Sequence, residues 1–81
     1  MKPIGTMIKE ELANQERSVA WFSRKINLDR SNVYRLFQKH SLDTDLLRRI
    51  CVVLGHDFFA DYSANLLAEE QLHDAVFGTQ G

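Results

Sequence analysis

Apolar residues recur at intervals of three and four positions along most of the chain, which is the spacing of helices with one buried face. The first stripe predicts a helix that begins near Pro3, because proline is favoured in the first helical turn. Its apolar members are Ile4, Met7, Ile8 and Leu12. No stretch shows the apolar–polar alternation of a half-buried strand. The pattern therefore predicts an all-α chain.

Two short stripes separated by a break occupy residues 18–38 and predict helices at about 19–26 and 30–38. Their apolar members are Val19, Phe22, Ile26, Val33, Leu36 and Phe37. Between them, Asn27 tolerates positive φ better than most residues, and Leu28 is a single apolar residue that fits beneath a turn. Ser23 is small enough for two helices to cross closely, and Ser18 and Asp29 are suitable N-caps. This spacing is typical of a helix-turn-helix unit.

Further helical segments follow this unit. A fourth helix should begin after Asp43 or Thr44 and end at Gly55, where glycine favours a helix C-terminus. Its apolar residues are Leu46, Leu47, Ile50, Val53 and Leu54. A short helix is predicted around residues 58–62, followed by a separate helix at about 64–76. We therefore expect a compact bundle of four to five helices over residues 1–62 and a helical extension over residues 63–81 that ends in a flexible tail.

Composition narrows the functional classes. The chain has 81 residues, of which 44% are hydrophobic, which is enough for one small core. A single cysteine and three widely separated histidines leave no zinc-ligand spacing, so we expect no metal and no cofactor. No apolar run approaches a membrane span, and the first residues lack a signal-peptide core, which favours a cytoplasmic protein with no membrane partner. No catalytic set of residues is recognisable, and we expect a protein that is not an enzyme.

Charge is unevenly distributed along the chain, although the net charge is only −1. Residues 17–49 hold eight Lys or Arg against three Asp, a local charge of +5. Residues 50–81 hold five Asp or Glu and neither Lys nor Arg, a local charge of −5. The basic block coincides with the predicted helix-turn-helix unit. A local basic patch, rather than the charge of the whole chain, is what binding to phosphates requires.

Residues 4–59 resemble the lambda-repressor/Cro-like helix-turn-helix domains, also called the XRE family. The resemblance is carried by Phe22, Ser23, Asn27, Leu28, Val33, Leu36, Leu47, Ile50, Leu54, Gly55 and Phe59. It implies a helical bundle that binds operator DNA, usually as a symmetric dimer. The sequence departs from the family at Asn27, where Gly is usual, at Ser23, where Ala is usual, and at Val19, where Gln often binds phosphate.

The resemblance also implies which residues contact double-stranded DNA, since in this family the second helix of the unit enters the major groove. The expected base contacts are Arg30, Ser31, Tyr34 and Arg35. The expected phosphate contacts are Arg17, Ser18, Gln38, Lys39 and His40. Arginine is suited to donate to guanine O6 and N7. The alternative is that Arg30 and Arg35 contact only phosphates. Arg48 and Arg49 are interpreted as solvated charges away from the groove.

Two functions remain in competition at this level. The first is a sequence-specific transcriptional regulator of bacterial or phage type that acts as a homodimer. The alternative is a protein-interaction module, such as an antitoxin or a helical adaptor, that binds a protein partner through the acidic segment 66–77. The aromatic residues Phe58, Phe59 and Tyr62 fit either closure of the core or a dimer contact.

Overall fold

The chain folds into helices joined by short connections. The computed structural model describes the backbone of residues 1–77 and the side chains of residues 1–69. Its helices are α1 (Ile4–Asn14), α2 (Val19–Ile26), α3 (Arg30–Leu36), α4 (Thr44–Leu54) and α5 (Phe58–Phe77). No strand occurs within residues 1–77, and the all-α prediction is confirmed.

Polar side chains begin four of the five helices. The side-chain oxygens of Ser18, Asp29, Asp43 and Asp57 each accept a hydrogen bond from the backbone N–H three residues later, at 2.8–3.1 Å. These bonds satisfy amides that have no partner within the helix, which explains why α2–α5 begin where they do. Helix α1 differs, because Pro3 occupies its N-cap position rather than the first helical position and offers no side-chain bond.

Three helices end in the same way, with a residue in the left-handed conformation. These residues are Glu16 (φ 56°), Asn27 (φ 59°) and Gly55 (φ 62°). In each case the N–H of the next residue donates to the carbonyl five positions earlier, at 3.0–3.1 Å. This is the Schellman arrangement, which reverses the chain while satisfying carbonyls at the helix end. Asn27 and Gly55 confirm the sequence prediction, whereas Glu16 is a residue type that rarely adopts this conformation.

One hydrophobic core receives side chains from all five helices. Its buried members are Ile4, Ile8, Leu12, Phe22, Ile26, Val33, Leu36, Phe37, Leu47, Ile50, Leu54 and Phe58. Leu28 packs against this core from beneath the turn between α2 and α3, as its position predicted. Helix α5 contributes only Phe58 to the core within residues 58–69. The core therefore fixes the first turn of α5, and the following turns lie largely exposed.

Two predicted helix boundaries are wrong. Residues 58–77 form one continuous helix rather than two, because no Gly or Pro interrupts them and their helix propensity is good. Within residues 58–69, only Phe58 of this helix is buried in the core, so the core-facing apolar pattern stops because α5 leaves the core, not because the helix ends. Helix α3 ends at Leu36 rather than near Gln38, since the N–H groups of Gln38 and Lys39 bond three residues back in a tighter turn. The predicted tail at 78–81 lies outside the described residues.

A partly buried polar cluster joins α5 to α1. His56 Nε2 lies 2.7 Å from Asp61 Oδ2, and His56 Nδ1 lies 3.8 Å from Glu11 Oε1. The His56 ring also packs on Phe58, with centroids 4.5 Å apart. The hydrogen bond with Asp61 raises the pKa of His56 above its usual value of 6.5, and the charges of Asp61 and Glu11 act in the same direction. Protonated His56 therefore stabilises the junction between these helices.

Substitution of His56 should change how stability depends on pH. Because folding raises the pKa of His56, its stabilising contribution is complete below pH 6.5 and is lost as pH rises through the raised value. We expect His56→Gln to remove this fall in the free energy of unfolding with rising pH. Urea denaturation of both proteins from pH 5.5 to 9 would measure it. Curves of unfolding free energy that run parallel over this range would contradict the prediction.

Replacement of Glu16 by glycine should stabilise the fold. A left-handed conformation costs a residue with a Cβ about 1–2 kcal/mol, a cost that glycine avoids. Glycine also increases the entropy of the unfolded chain, which offsets part of this gain. We therefore expect Glu16→Gly to raise the free energy of unfolding by about 1 kcal/mol in urea denaturation. Glu16→Ala is the control, because it removes the carboxylate but keeps the strain. Equal gains in both variants would assign the effect to charge instead.

Candidate nucleic-acid interface

The turn between α2 and α3 is held by a pair of reciprocal bonds between the same two residues. Asn27 takes the left-handed conformation, and the N–H of Leu28 donates to the carbonyl of Ser23 at 3.1 Å. The Ser23 hydroxyl in turn donates to the carbonyl of Leu28. Ser23 was predicted as a small residue at a helix crossing, and the structure adds this bond. We call residues 18–36 the α2–α3 unit.

An arginine from α4 also holds the α2–α3 unit. The Arg49 guanidinium donates to the carbonyl of Ile26 at 2.6 Å. The last carbonyls of a helix have no partner within it, so this bond satisfies one of them at the base of the turn. The prediction that Arg49 is only a solvated charge is therefore wrong. The bond depends on how α4 packs against α2, which residue spacing alone does not reveal.

The first turn of α3 is organised by Asp29. Its Oδ1 accepts from the N–H of Asn32 at 2.8 Å and from the hydroxyl of Ser31 at 3.1 Å. The bond from Asn32, then the bond from Ser31, and more weakly the positive charge of Arg35, lower the pKa of Asp29 from its usual value. The Ser31 hydrogen is used in this bond, so Ser31 presents lone pairs outward and can accept a hydrogen bond.

The outer face of α3 is polar and cationic. Arg30, Ser31, Tyr34 and Arg35 are all exposed, and they fall within about 140° of the helix circumference. The Tyr34 side chain remains 55% exposed, although its ring meets that of Phe37 edge-on at 6.1 Å. The four residues expected to contact bases thus share one accessible face, while the buried residues of α3 face the core.

Residues on either side of this face carry further donors. Arg17 and Ser18 precede α2, and all five expected phosphate contacts, Arg17, Ser18, Gln38, Lys39 and His40, are exposed. The Arg17 guanidinium lies over the Trp21 ring, 4.5 Å from its centroid, which limits the freedom of a long side chain. Ser18 Oγ accepts from the Trp21 N–H, and its own hydrogen is still able to donate.

Sequence reasoning missed the role of Gly5, which fixes the segment after α3. The N–H of Gly5 donates to the carbonyl of Lys39 at 3.0 Å. A Cβ at Gly5 would overlap the carbonyl groups of Leu36 and Phe37. The sequence signal for this contact was the glycine itself, because glycine inside a helix costs about 1 kcal/mol relative to alanine and is found where another backbone approaches closely.

The segment that contains the α2–α3 unit is strongly basic. Residues 17–39 hold six Lys or Arg against Asp29 alone. Arg24 and Lys25, in the last turn of α2, are exposed together with the arginines of α3. A surface of one sign attracts a polyanion at long range and raises its rate of association.

Other chemistries have less support within the part of the chain that the structure describes. No group of three His, Cys, Asp or Glu side chains there is arranged to hold a metal ion. No helix there is long and apolar enough to cross a membrane.

Comparisons of the chain with family models, with curated proteins and with solved structures found no match. The resemblance to lambda-repressor/Cro-like domains therefore stays a prediction.

Loss of the Arg49 bond should destabilise the protein selectively. We expect Arg49→Ala to lower the free energy of unfolding by about 1–2 kcal/mol, because the Ile26 carbonyl loses a charged donor. Arg48→Ala is the matched control, since it removes an exposed arginine from the same helix and should change stability by less than about 0.5 kcal/mol. Urea denaturation measures both. If both variants lower the free energy of unfolding equally, the bond from Arg49 to Ile26 adds no stability beyond that of an exposed arginine.

Proposed function

We propose that the chain is a sequence-specific DNA-binding transcriptional regulator that inserts α3 into the major groove. The observation that carries this proposal is the exposed face of α3, where Arg30, Ser31, Tyr34 and Arg35 lie together on a helix that follows a hydrogen-bonded turn. A major groove about 12 Å wide admits one α-helix. The seven residues of α3 are about 10 Å long, which suits a reading of a few base pairs.

The outer residues of α3 have the chemistry needed to distinguish bases. Arg30 and Arg35 can each donate two parallel hydrogen bonds to guanine O6 and N7. Ser31, whose hydrogen is held by Asp29, can accept from the amino group of adenine or cytosine. The Tyr34 ring offers apolar contact to a thymine methyl group. Together these contacts would read sequence rather than only charge.

Residues outside α3 would set the position of the protein on the duplex. Arg17 and Ser18 lie at the amino end of α2, where the helix dipole also favours a phosphate. Gln38, Lys39 and His40 follow α3, and the bond between Gly5 and Lys39 restrains their backbone. Phosphate contacts carry no sequence information, but they fix the register in which α3 meets the bases.

We further propose that the protein binds as a homodimer. Two copies related by a two-fold axis would place their α3 helices in successive major grooves about 34 Å apart.

The acidic segment after residue 50 would be repelled by the duplex. It therefore favours the orientation in which the α2–α3 unit faces DNA and α5 points away.

Selection of binding sites from random duplexes tests the function. We expect a near-palindromic consensus and an affinity that falls steeply with salt, since Lys and Arg displace counterions from phosphates. Weak binding to all sequences with no consensus would contradict the proposal. Fluorescence anisotropy on the selected duplex would measure the affinity at two salt concentrations, which is enough to obtain the slope.

Variants of α3 then test the assignment of residues. Arg30→Ala and Arg35→Ala should each cost about 1–3 kcal/mol and relax the preference at one base pair. Equal weakening on all sequences with a smaller salt slope would reassign the residue to a phosphate. Arg48→Ala, which removes the same charge from α4, is the control and should change affinity little. If it weakens binding as much as the α3 variants do, α3 does not read the groove.

A further inference from the structure

Helix α5 carries an exposed apolar stripe beyond the core. Phe59, Tyr62 and Leu66 follow at intervals of three and four residues, so their side chains project from one side of the helix. Their exposed fractions are 40%, 37% and 60%. Phe58 is the last α5 residue buried in the core within residues 58–69, so the bundle leaves this stripe largely uncovered. We call these three residues the α5 stripe.

In the sequence, the segment that carries the α5 stripe has charges of a single sign. The segment from residue 57 onward holds Asp57, Asp61, Glu69, Glu70 and Asp74 without Lys or Arg. Glu69 is exposed and stands three positions after Leu66, directly beside the stripe. A ligand that covers the stripe must therefore be apolar in its centre and basic at its edges.

A second α5 helix does not have this chemistry. Paired stripes from two copies would bring two sets of carboxylates along one seam, whichever way the helices ran. Like charges that face each other across an interface disfavour the pairing, whereas complementary charges favour it and select the partner. The charge of α5 thus favours a partner that is not another α5.

We propose that the α5 stripe is a docking surface for a basic amphipathic segment of a partner protein. The apolar face of that segment would cover Phe59, Tyr62 and Leu66, and its flanking Lys or Arg residues would pair with Glu69. Two amphipathic helices would pack face to face in this way, with apolar anchors that give affinity and edge charges that give specificity. The proposal concerns α5 alone and does not depend on DNA binding by α3.

A synthetic peptide of leucine and lysine, with its leucines at helical spacing, tests the proposal on the full chain. We expect binding by fluorescence anisotropy, and Leu66→Glu should weaken it about tenfold or more. Leu67→Glu is the matched control, because Leu67 is 57% exposed but lies about 100° around the helix from Leu66. Both positions are exposed, so both variants should fold, which circular dichroism verifies.

Several results would overturn the proposal. A scrambled peptide of the same composition that binds equally well would show that charge alone is responsible. Equal weakening by Leu66→Glu and Leu67→Glu would exclude a defined stripe. No binding of the leucine–lysine peptide, or equal binding of a leucine–glutamate peptide, would exclude a basic partner. A dimer in sedimentation that Leu66→Glu dissociates and the peptide does not displace would show that a second copy covers the stripe.

Discussion

The left-handed turn at Asn27 is the constraint on which the α2–α3 unit depends. A chain leaving α2 could take many directions, and the Schellman bonds at Ser23 and Leu28 select one of them. Arg49 then ties the end of α2 to α4, so the turn is fixed relative to the whole core. The position of the exposed face of α3 is therefore fixed by the same bonds. Side chains that read base edges need such support, because a contact displaced by 1 Å loses much of its hydrogen bonding.

Segregation of charge is the second organising feature. A net charge of −1 gives no hint of a polyanion partner, yet the basic residues gather around α2 and α3 while α5 is acidic. The field near the α2–α3 unit is governed by nearby groups, since charges more than about 8 Å apart are largely screened at physiological salt. We propose that the negative charge of α5 favours an orientation in which the α2–α3 unit faces DNA, and favours a basic partner for the α5 stripe.

Local features of this fold were predictable, and features set by packing were not. The bounds of α2, the caps at Ser18 and Asp29, and the turns at Asn27 and Gly55 depend on residues within about five positions of each other. The bond from Arg49 to α2 joins residues 23 positions apart and leaves no periodic signal. The same holds for the contact of Gly5 with the end of α3. The proposed contacts of the exposed face of α3 with DNA stay a prediction.

The arrangement of the core separates the two proposed surfaces. Helix α3 is held by Val33 and Leu36 in the core and by the turn to α2, none of which involves α5 beyond its first residue. Within residues 58–69, α5 is anchored by Phe58 alone in the core and by the cluster at His56. The exposed turns of α5 are therefore not needed to present α3. Up to residue 69, the turns of α5 after Phe58 are not part of the core, yet they keep large apolar side chains in water, which supports the proposal that this surface has a use outside the core.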